Sequence, residues 1–226
     1  MRGYGQYCPV TRAAEVFAER WTPVIVRNMV LGCHSFAEIA DGAPGMSHTL
    51  LTQRLRELER RGIVERRPNP SGRGLGYYLT EAGSELEEVC MALGKWGARW
   101  TELGAEHLDA YTVLWASCRR MNMEGGLPER RVVVRFDLSD GPKRRFWMIL
   151  QRPEAEVCLK PPGFDEDLVV SGDVETLTKW HMGWTSLDEA GRTGRLRIEG
   201  PRDLVRAFPS WNWLSRFADV RPARAS

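Results

Sequence analysis

In the N-terminal part of the chain, apolar positions recur at three- and four-residue intervals, as in helices that bury one face. Ala13, Val16 and Phe17 predict the inner stripe of a helix from Thr11 to about Arg20. Trp21 to Leu31 predicts a second, with Pro23 in its first turn and Val24, Ile25 and Met29 facing inward. Ser35 and Glu38 stand at capping-box spacing and open a short third helix that ends near Ala40; Asp41 to Gly45 is turn chemistry. Between Ser47 and Gly62 the stripe is Leu51, Leu55 and Leu58, while His48, Thr49, Thr52, Gln53 and Arg56 fall on the other side. Ser47 is a natural N-cap for this helix and Gly62 a natural stop. Residues 63–67 then read as a strand, 68–76 as a hairpin loop and 77–79 as the returning strand.

The pattern changes at Glu81. Leu86, Val89, Leu93, Trp96, Trp100 and Leu103 are spaced 3, 4, 3, 4, 3, a heptad seam that suits a partner helix in a homodimer or burial within the domain. Beyond it, Glu106 to about Met121 predicts a helix with Leu108, Tyr111, Cys118 and either Leu114 or Trp115 inward. Strands follow at 132–138, 145–151, 156–160, 167–171 and 194–200, with helices at 173–182 and 201–208. The fold class is therefore α+β. A winged helix-turn-helix with a long dimerisation helix occupies residues 1–103, and a smaller domain with a mostly antiparallel five-stranded sheet occupies 104–226.

A short helix, a glycine turn and a longer helix with a polar face make a helix-turn-helix, and the hairpin after it makes a wing. Ser47, His48, Thr49, Thr52, Gln53 and Arg56 offer hydroxyls, an imidazole, an amide and a forked cation, the groups that meet base edges and phosphates in double-stranded DNA. Arg66 and Arg67 on the wing strand suit the DNA backbone, and Arg73 near the wing tip suits a minor groove or a phosphate. The net charge of +2 does not itself point to nucleic acid. Locally, seven arginines (54, 56, 60, 61, 66, 67, 73) face three glutamates (57, 59, 65), which suits an anionic partner or a solvated helix face.

The remaining chemistry is sparse. Cys8, Cys33, Cys90, Cys118 and Cys158 are odd in number and show no zinc spacing, so reduced thiols in a cytoplasm are expected. His34, His48, His107 and His181 form no ligand set, and no metal or other cofactor is proposed. There is no phosphate-cradling glycine loop, no nucleophile elbow and no convincing acid pair, so an enzyme is not expected. With no run of about 18 apolar residues, neither a membrane span nor a membrane partner is expected. Cys8 precedes a helix start, which fits weakly a thiol of lowered pKa; the alternative is a small apolar residue at an interface. Trp147, Trp180, Trp184, Trp211 and Trp213 suit a small-molecule pocket or a tryptophan-rich core.

Two resemblances sit on these residues. Cys8-Pro-Val, Glu19-Arg-Trp-Thr22, Leu51-Thr-Gln-Arg-Leu-Arg-Glu-Leu-Glu59 and Tyr78-Leu-Thr-Glu-Ala-Gly83 resemble, in the right order, the HxlR family of winged-helix transcription regulators. That likeness implies a homodimer on a near-palindromic operator; some relatives use the cysteine of the Cys-Pro position to sense oxidants or electrophiles. Residues 108–219 resemble the sterol carrier protein type two-like fold through Phe136-Asp-Leu-Ser-Asp-Gly141, Asp167-Leu-Val-Val170 and Gly194-Arg-Leu-Arg-Ile-Glu-Gly-Pro201. Arg206-Ala-Phe-Pro-Ser-Trp211 resembles the ending of such domains when they are fused to HxlR-type regulators. This second likeness implies an apolar tunnel for a hydrophobic small-molecule effector. The expectation is a regulator binding an inverted repeat and modulated through its C-terminal half. The alternatives are a thiol switch at Cys8 with a structural C-terminal half, and a lipid- or small-molecule-binding protein without specific DNA binding.

Overall fold

The computed structural model describes residues 3–69, 74–140 and 145–223, grouped into compact units that divide between Leu93 and Gly94. In the first unit, α1 (Pro9–Phe17) starts earlier than the apolar pattern suggests because Pro9 is already preset for a first helical turn. None of its residues is buried; Ala13 is exposed, and Val16 and Phe17 are half-buried. α2 (Thr22–Val30) supplies the core with Ile25, Val26 and Met29, Val24 being only half-buried. α3 (Phe36–Asp41) carries the capping box in full: Ser35 accepts from the Glu38 N–H and Glu38 accepts from the Ser35 N–H. α4 (His48–Arg60) buries Leu51, Leu55 and Leu58 and is capped by Ser47, whose hydroxyl accepts the Leu50 N–H at 3.2 Å. The chain leaves it through Gly62 at φ 68°, where a side chain would be strained. β1 (Val64–Pro68) and β2 (Leu75–Leu79) pair antiparallel, and α5 (Glu81–Trp100) follows.

The second unit is a layer of helices on one face of a sheet. α6 (Ala110–Glu124) begins later than the periodicity suggests, because Asp109 caps it by accepting from the Tyr111 and Thr112 N–H groups. Residues 105–107 form a separate 3-10 turn. The strands are β3 (Val132–Leu138), β4 (Arg145–Gln151), β5 (Glu154–Cys158), β6 (Leu168–Gly172) and β7 (Leu196–Glu199), in the order β5-β4-β3-β6-β7. β3 and β6 run parallel and the other neighbours antiparallel, so the sheet is mostly antiparallel. α7 (Val174–His181), α8 (Leu187–Arg192) and α9 (Arg202–Ala207) complete the unit. α8 went unpredicted because Leu187-Asp-Glu-Ala-Gly-Arg192 is too short for a helical repeat; a Ser186 cap starts it.

Strand alternation sends Val132, Val134, Phe136 and Leu138 to the inner face, against Leu114, Cys118 and Met121 of α6 and Leu177 and Trp180 of α7. Trp213 is the hub of that layer. It stacks on Phe208 at 4.4 Å between centroids, meets Phe136 and Trp180 at 5.9 Å each, and donates its Nε1–H to the Phe208 carbonyl at 2.6 Å. His181 is buried beside it and lies 2.6 Å through Nδ1 from the Trp213 carbonyl oxygen. Burial pushes its imidazole down to about 4, so the ring is neutral at pH 7 and donates from Nδ1.

Having left β5 at one edge, the chain must cross β4 and β3 to reach β6. It does so over the outer face in residues 159–167, which explains why Val133 and Trp147 are buried although they point away from the helices. The Trp147 Nε1–H donates to Glu166 at 3.0 Å, Arg135 pairs with the same carboxylate at 3.2 Å, and Asp167 accepts the Val133 N–H at 2.8 Å. No helix among the described residues is long and apolar enough to cross a membrane.

Candidate nucleic-acid interface

The recognition-type face of α4 is open. His48, Thr49, Gln53 and Arg56 are exposed, and Arg56 has no ion pair among the described residues. Thr52 is half-buried and donates its hydroxyl back to the His48 carbonyl at 2.9 Å, which leaves its oxygen lone pairs for a ligand donor. His48 meets the Phe36 ring edge-on at 5.4 Å, which fixes its direction.

Three other arginines of the local cluster, Arg54, Arg60 and Arg61, already have carboxylate partners. Arg54 is half-buried and pairs with Glu19 at 2.8 Å, fastening α4 to the segment after α1. Glu57 takes both Arg60 and Arg61, and those hydrogen bonds, Arg61 foremost, hold its carboxyl below the usual carboxylate range. Charge counting could not separate these from Arg56; only the partners do.

Two residues that sequence reasoning passed over set the geometry between helices. Asn28 is fully buried and donates to the Ile39 carbonyl at 2.9 Å. Arg27 donates to Asn28 and to the Gly42 carbonyl, so α2 grips the turn that aims α4. A polar pair inside an apolar stripe was the available signal, since a buried amide is retained only where its hydrogen bonds are met.

On the wing, Arg66 lies over Tyr77 at 5.6 Å and Arg67 over Tyr78 at 4.4 Å. Consecutive strand residues point to opposite faces, so the two arginines do not act as a pair on one surface. Tyr78 in turn stacks on His34 at 4.3 Å, and the Tyr77 N–H donates to the His34 carbonyl at 2.8 Å. His34 therefore anchors the wing to the body of the unit, a tertiary role invisible in a scattered histidine. Arg73, expected at the wing tip, lies outside the described residues.

Along α5, Val89, Leu93, Trp96 and Trp100 are exposed by 45, 50, 58 and 55% and Leu86 is half-buried, whereas Leu103, half-buried too, lies beyond the end of the helix at Trp100 and so does not continue the expected seam. Tyr4, Tyr7 and Val10 are exposed apolar residues as well. Among the thiols, burial pushes Cys90 up to about 11 and also raises Cys118 and Cys158. Cys8 goes the other way, held below its ordinary value by the backbone N–H groups of Thr11 and Val10 at the start of α1.

The five C-terminal tryptophans do not converge on one cavity. Trp180, Trp211 and Trp213 are core, packed around Phe208. Trp184 is half-buried and donates to the Val220 carbonyl at 3.2 Å. Trp147 alone of the five lines the large cleft of this unit, on the opposite side of the sheet. The reason is alternation: Trp147 belongs to the outward set of β4, the other core tryptophans to the helical layer.

A short helix, a capped turn, a helix with an open polar face and a cation-bearing hairpin together define a winged helix-turn-helix protein. The HxlR-like helix-turn-helix family model matches residues 16–105. The transcriptional regulator YvaP of Bacillus subtilis is 31% identical over 99 residues, 43% of this chain and 92% of that protein. YodB of Bacillus subtilis is 33% identical over 99 residues, 43% of this chain and 88% of that protein. The solved reduced form of YodB is matched at 33% identity with a TM-score of 0.37, over 44% of this chain and 99% of that one. The chain belongs to the HxlR-like helix-turn-helix family.

Proposed function

We propose that the chain is a DNA-binding transcription regulator that reads an inverted-repeat operator as a homodimer. The observation that carries this reading is the open face of α4, where Arg56, Gln53, Thr49 and His48 stand outward while the neighbouring arginines are occupied. The regulator names carried by its relatives agree with it. Ser47 and Thr52 complete the α4 surface; Arg67 is the wing cation for the phosphate backbone, with Arg66 on the opposite face of the strand as the alternative, and Arg73 is a further candidate contact. Leu86, Val89, Leu93, Trp96 and Trp100 form the seam with a second copy. Two-fold pairing sets the two reading helices roughly 34 Å apart, one turn of DNA. In domain terms, residues 1–103 bind DNA and dimerise, and residues 104–226 sense an effector.

The test is selection of bound sequences from random duplex DNA by the purified full chain, followed by two variants on the selected repeat. Gln53→Ala is expected to lose about tenfold on the selected site and little on random DNA, as for a lost base contact. Arg67→Ala is expected to weaken both alike and to lower the salt slope by about 1. Enrichment of no repeat, or equal losses for Gln53→Ala on both DNAs, removes the reading.

A sterol-carrier-like C-terminal half binding a hydrophobic effector is supported by the motifs at 136–141, 167–170 and 194–201 and agrees with the mostly antiparallel sheet. An apolar effector entering the inner layer must displace tryptophans that already touch one another. A second reading, thiol sensing, is favoured by the lowered pKa of Cys8 at a helix start. On that reading, diamide lowers operator affinity in the parent chain and leaves Cys8→Ser unaffected; an identical response in the variant ends it.

A further inference from the structure

We propose that the outer face of the C-terminal sheet carries a binding cleft for a small organic anion, one with a phosphate or carboxylate on an apolar body. The register places Arg145, Asp137, Ser171 and Arg197 side by side across β4, β3, β6 and β7. The row spans three strand spacings, about 14 Å. The connection after β5 covers the neighbouring row, Trp147 included, and stops short of this one. What remains is an open cleft of about 1140 Å³. Leu159, Lys160 and Pro161 wall it on one side and Gly194 and Arg195 on the other.

Its charge balance favours an anion. The lining cations are Arg145, Lys160, Arg195 and Arg197, against the carboxylates of Asp137 and Asp173. Both carboxylates are engaged: Asp137 receives Arg145 at 2.8 Å and Arg135 at 3.0 Å, and Asp173 caps α7 by accepting from the Thr176 N–H at 2.6 Å. Lys160 and Arg195 have no ion pair among the described residues, and Arg197 reaches Glu199 only at 3.6 Å. Converging cations in a concave site raise the local concentration of an anion, and an arginine fork meets phosphate or carboxylate with two parallel hydrogen bonds. Leu159, exposed by 49%, and Pro161 offer the apolar body a surface. This cleft is separate from the inner layer that a hydrophobic effector would enter.

Binding is tested on the full chain by calorimetry with 1-naphthyl phosphate, 1-naphthoate and neutral 1-naphthol. Saturable one-to-one binding of either anion, at least about tenfold tighter than naphthol, supports the cleft, and the anion that binds identifies the charged group. The double variant Arg195→Ala/Arg197→Ala should weaken that binding by at least about tenfold. Arg202→Ala, an exposed change on α9 outside the lining, should leave it unchanged. Neither anion binding below about 1 mM, naphthol binding as tightly, or full affinity in the double variant overturns the proposal. Displacement of the probe by unrelated duplex DNA overturns it in favour of a nucleic-acid contact. Only the link to regulation rests on the sensor reading above: a bound probe that leaves operator affinity unchanged removes that link and leaves the cleft standing.

Discussion

Trp96→Asp is expected to convert a dimeric chain into a monomer and to weaken binding to the selected inverted repeat at least about 100-fold. The four most open seam positions lie on one stripe of α5, and Trp96 is exposed by 58%. Tryptophans on a heptad seam bury large apolar areas only when a second helix covers them. A carboxylate at that position would have to be desolvated when the interface closes. The DNA effect follows from valency rather than from contact. Once one recognition helix is docked, its partner binds as an intramolecular event, an advantage of about 10²–10⁴ that a monomer loses. Analytical ultracentrifugation and titration of the selected repeat check both halves. A dimeric Trp96→Asp chain with parental affinity would place the interface elsewhere and return the seam to ordinary surface.

Trp213→Ala is expected to destabilise the C-terminal unit by about 3–5 kcal/mol and to lower its melting temperature by about 10 °C or more. The indole is 2% exposed and touches Phe208, Phe136 and Trp180. Its removal leaves a cavity among side chains that cannot all shift to fill it, and it strips a hydrogen bond from the buried Phe208 carbonyl. Urea unfolding followed by far-ultraviolet circular dichroism measures the loss. The outcome also bears on the effector. A change below about 1 kcal/mol would mean that the inner layer is loosely packed and able to admit an apolar guest.

Much of the architecture was legible because it is local. Ser35 with Glu38 and Ser47 with Leu51, Leu55 and Leu58 encode a cap and a stripe within one or two helical turns, and both helices form where those residues place them. The 132–138 and 145–151 strands are short apolar runs rich in β-branched and aromatic residues, and both have the bounds their pattern gives. Where the local signal was weak, the bounds slipped. Asp109 outcompeted Glu106 as a helix start, and α8 had too few residues to show a period.

For the candidate interface, sequence marked which side chains carry suitable chemistry, and partners decided which are free to use it. Arg54, Arg56, Arg60 and Arg61 look alike along the chain; Glu19 and Glu57 claim three of them and leave Arg56 outward. The tryptophans divide in the same way. Trp147 and Trp213 are equally suited to a pocket by type, yet strand parity and the crossing connection put one beside an open cleft and the other at the centre of a packed layer.

By itself the sequence determined the helix-turn-helix and the sheet-forming segments, because caps, stripes and alternation act over a few residues and carry their own energetics. Tertiary structure alone decided that Asn28 and Arg27 clamp the turn, that His34 anchors the wing, and that Arg145 and Arg197 share a cleft across four strands. Those pairings join residues far apart in the chain, and a hydrogen bond or an ion pair exists only once folding has brought both partners within about 3 Å.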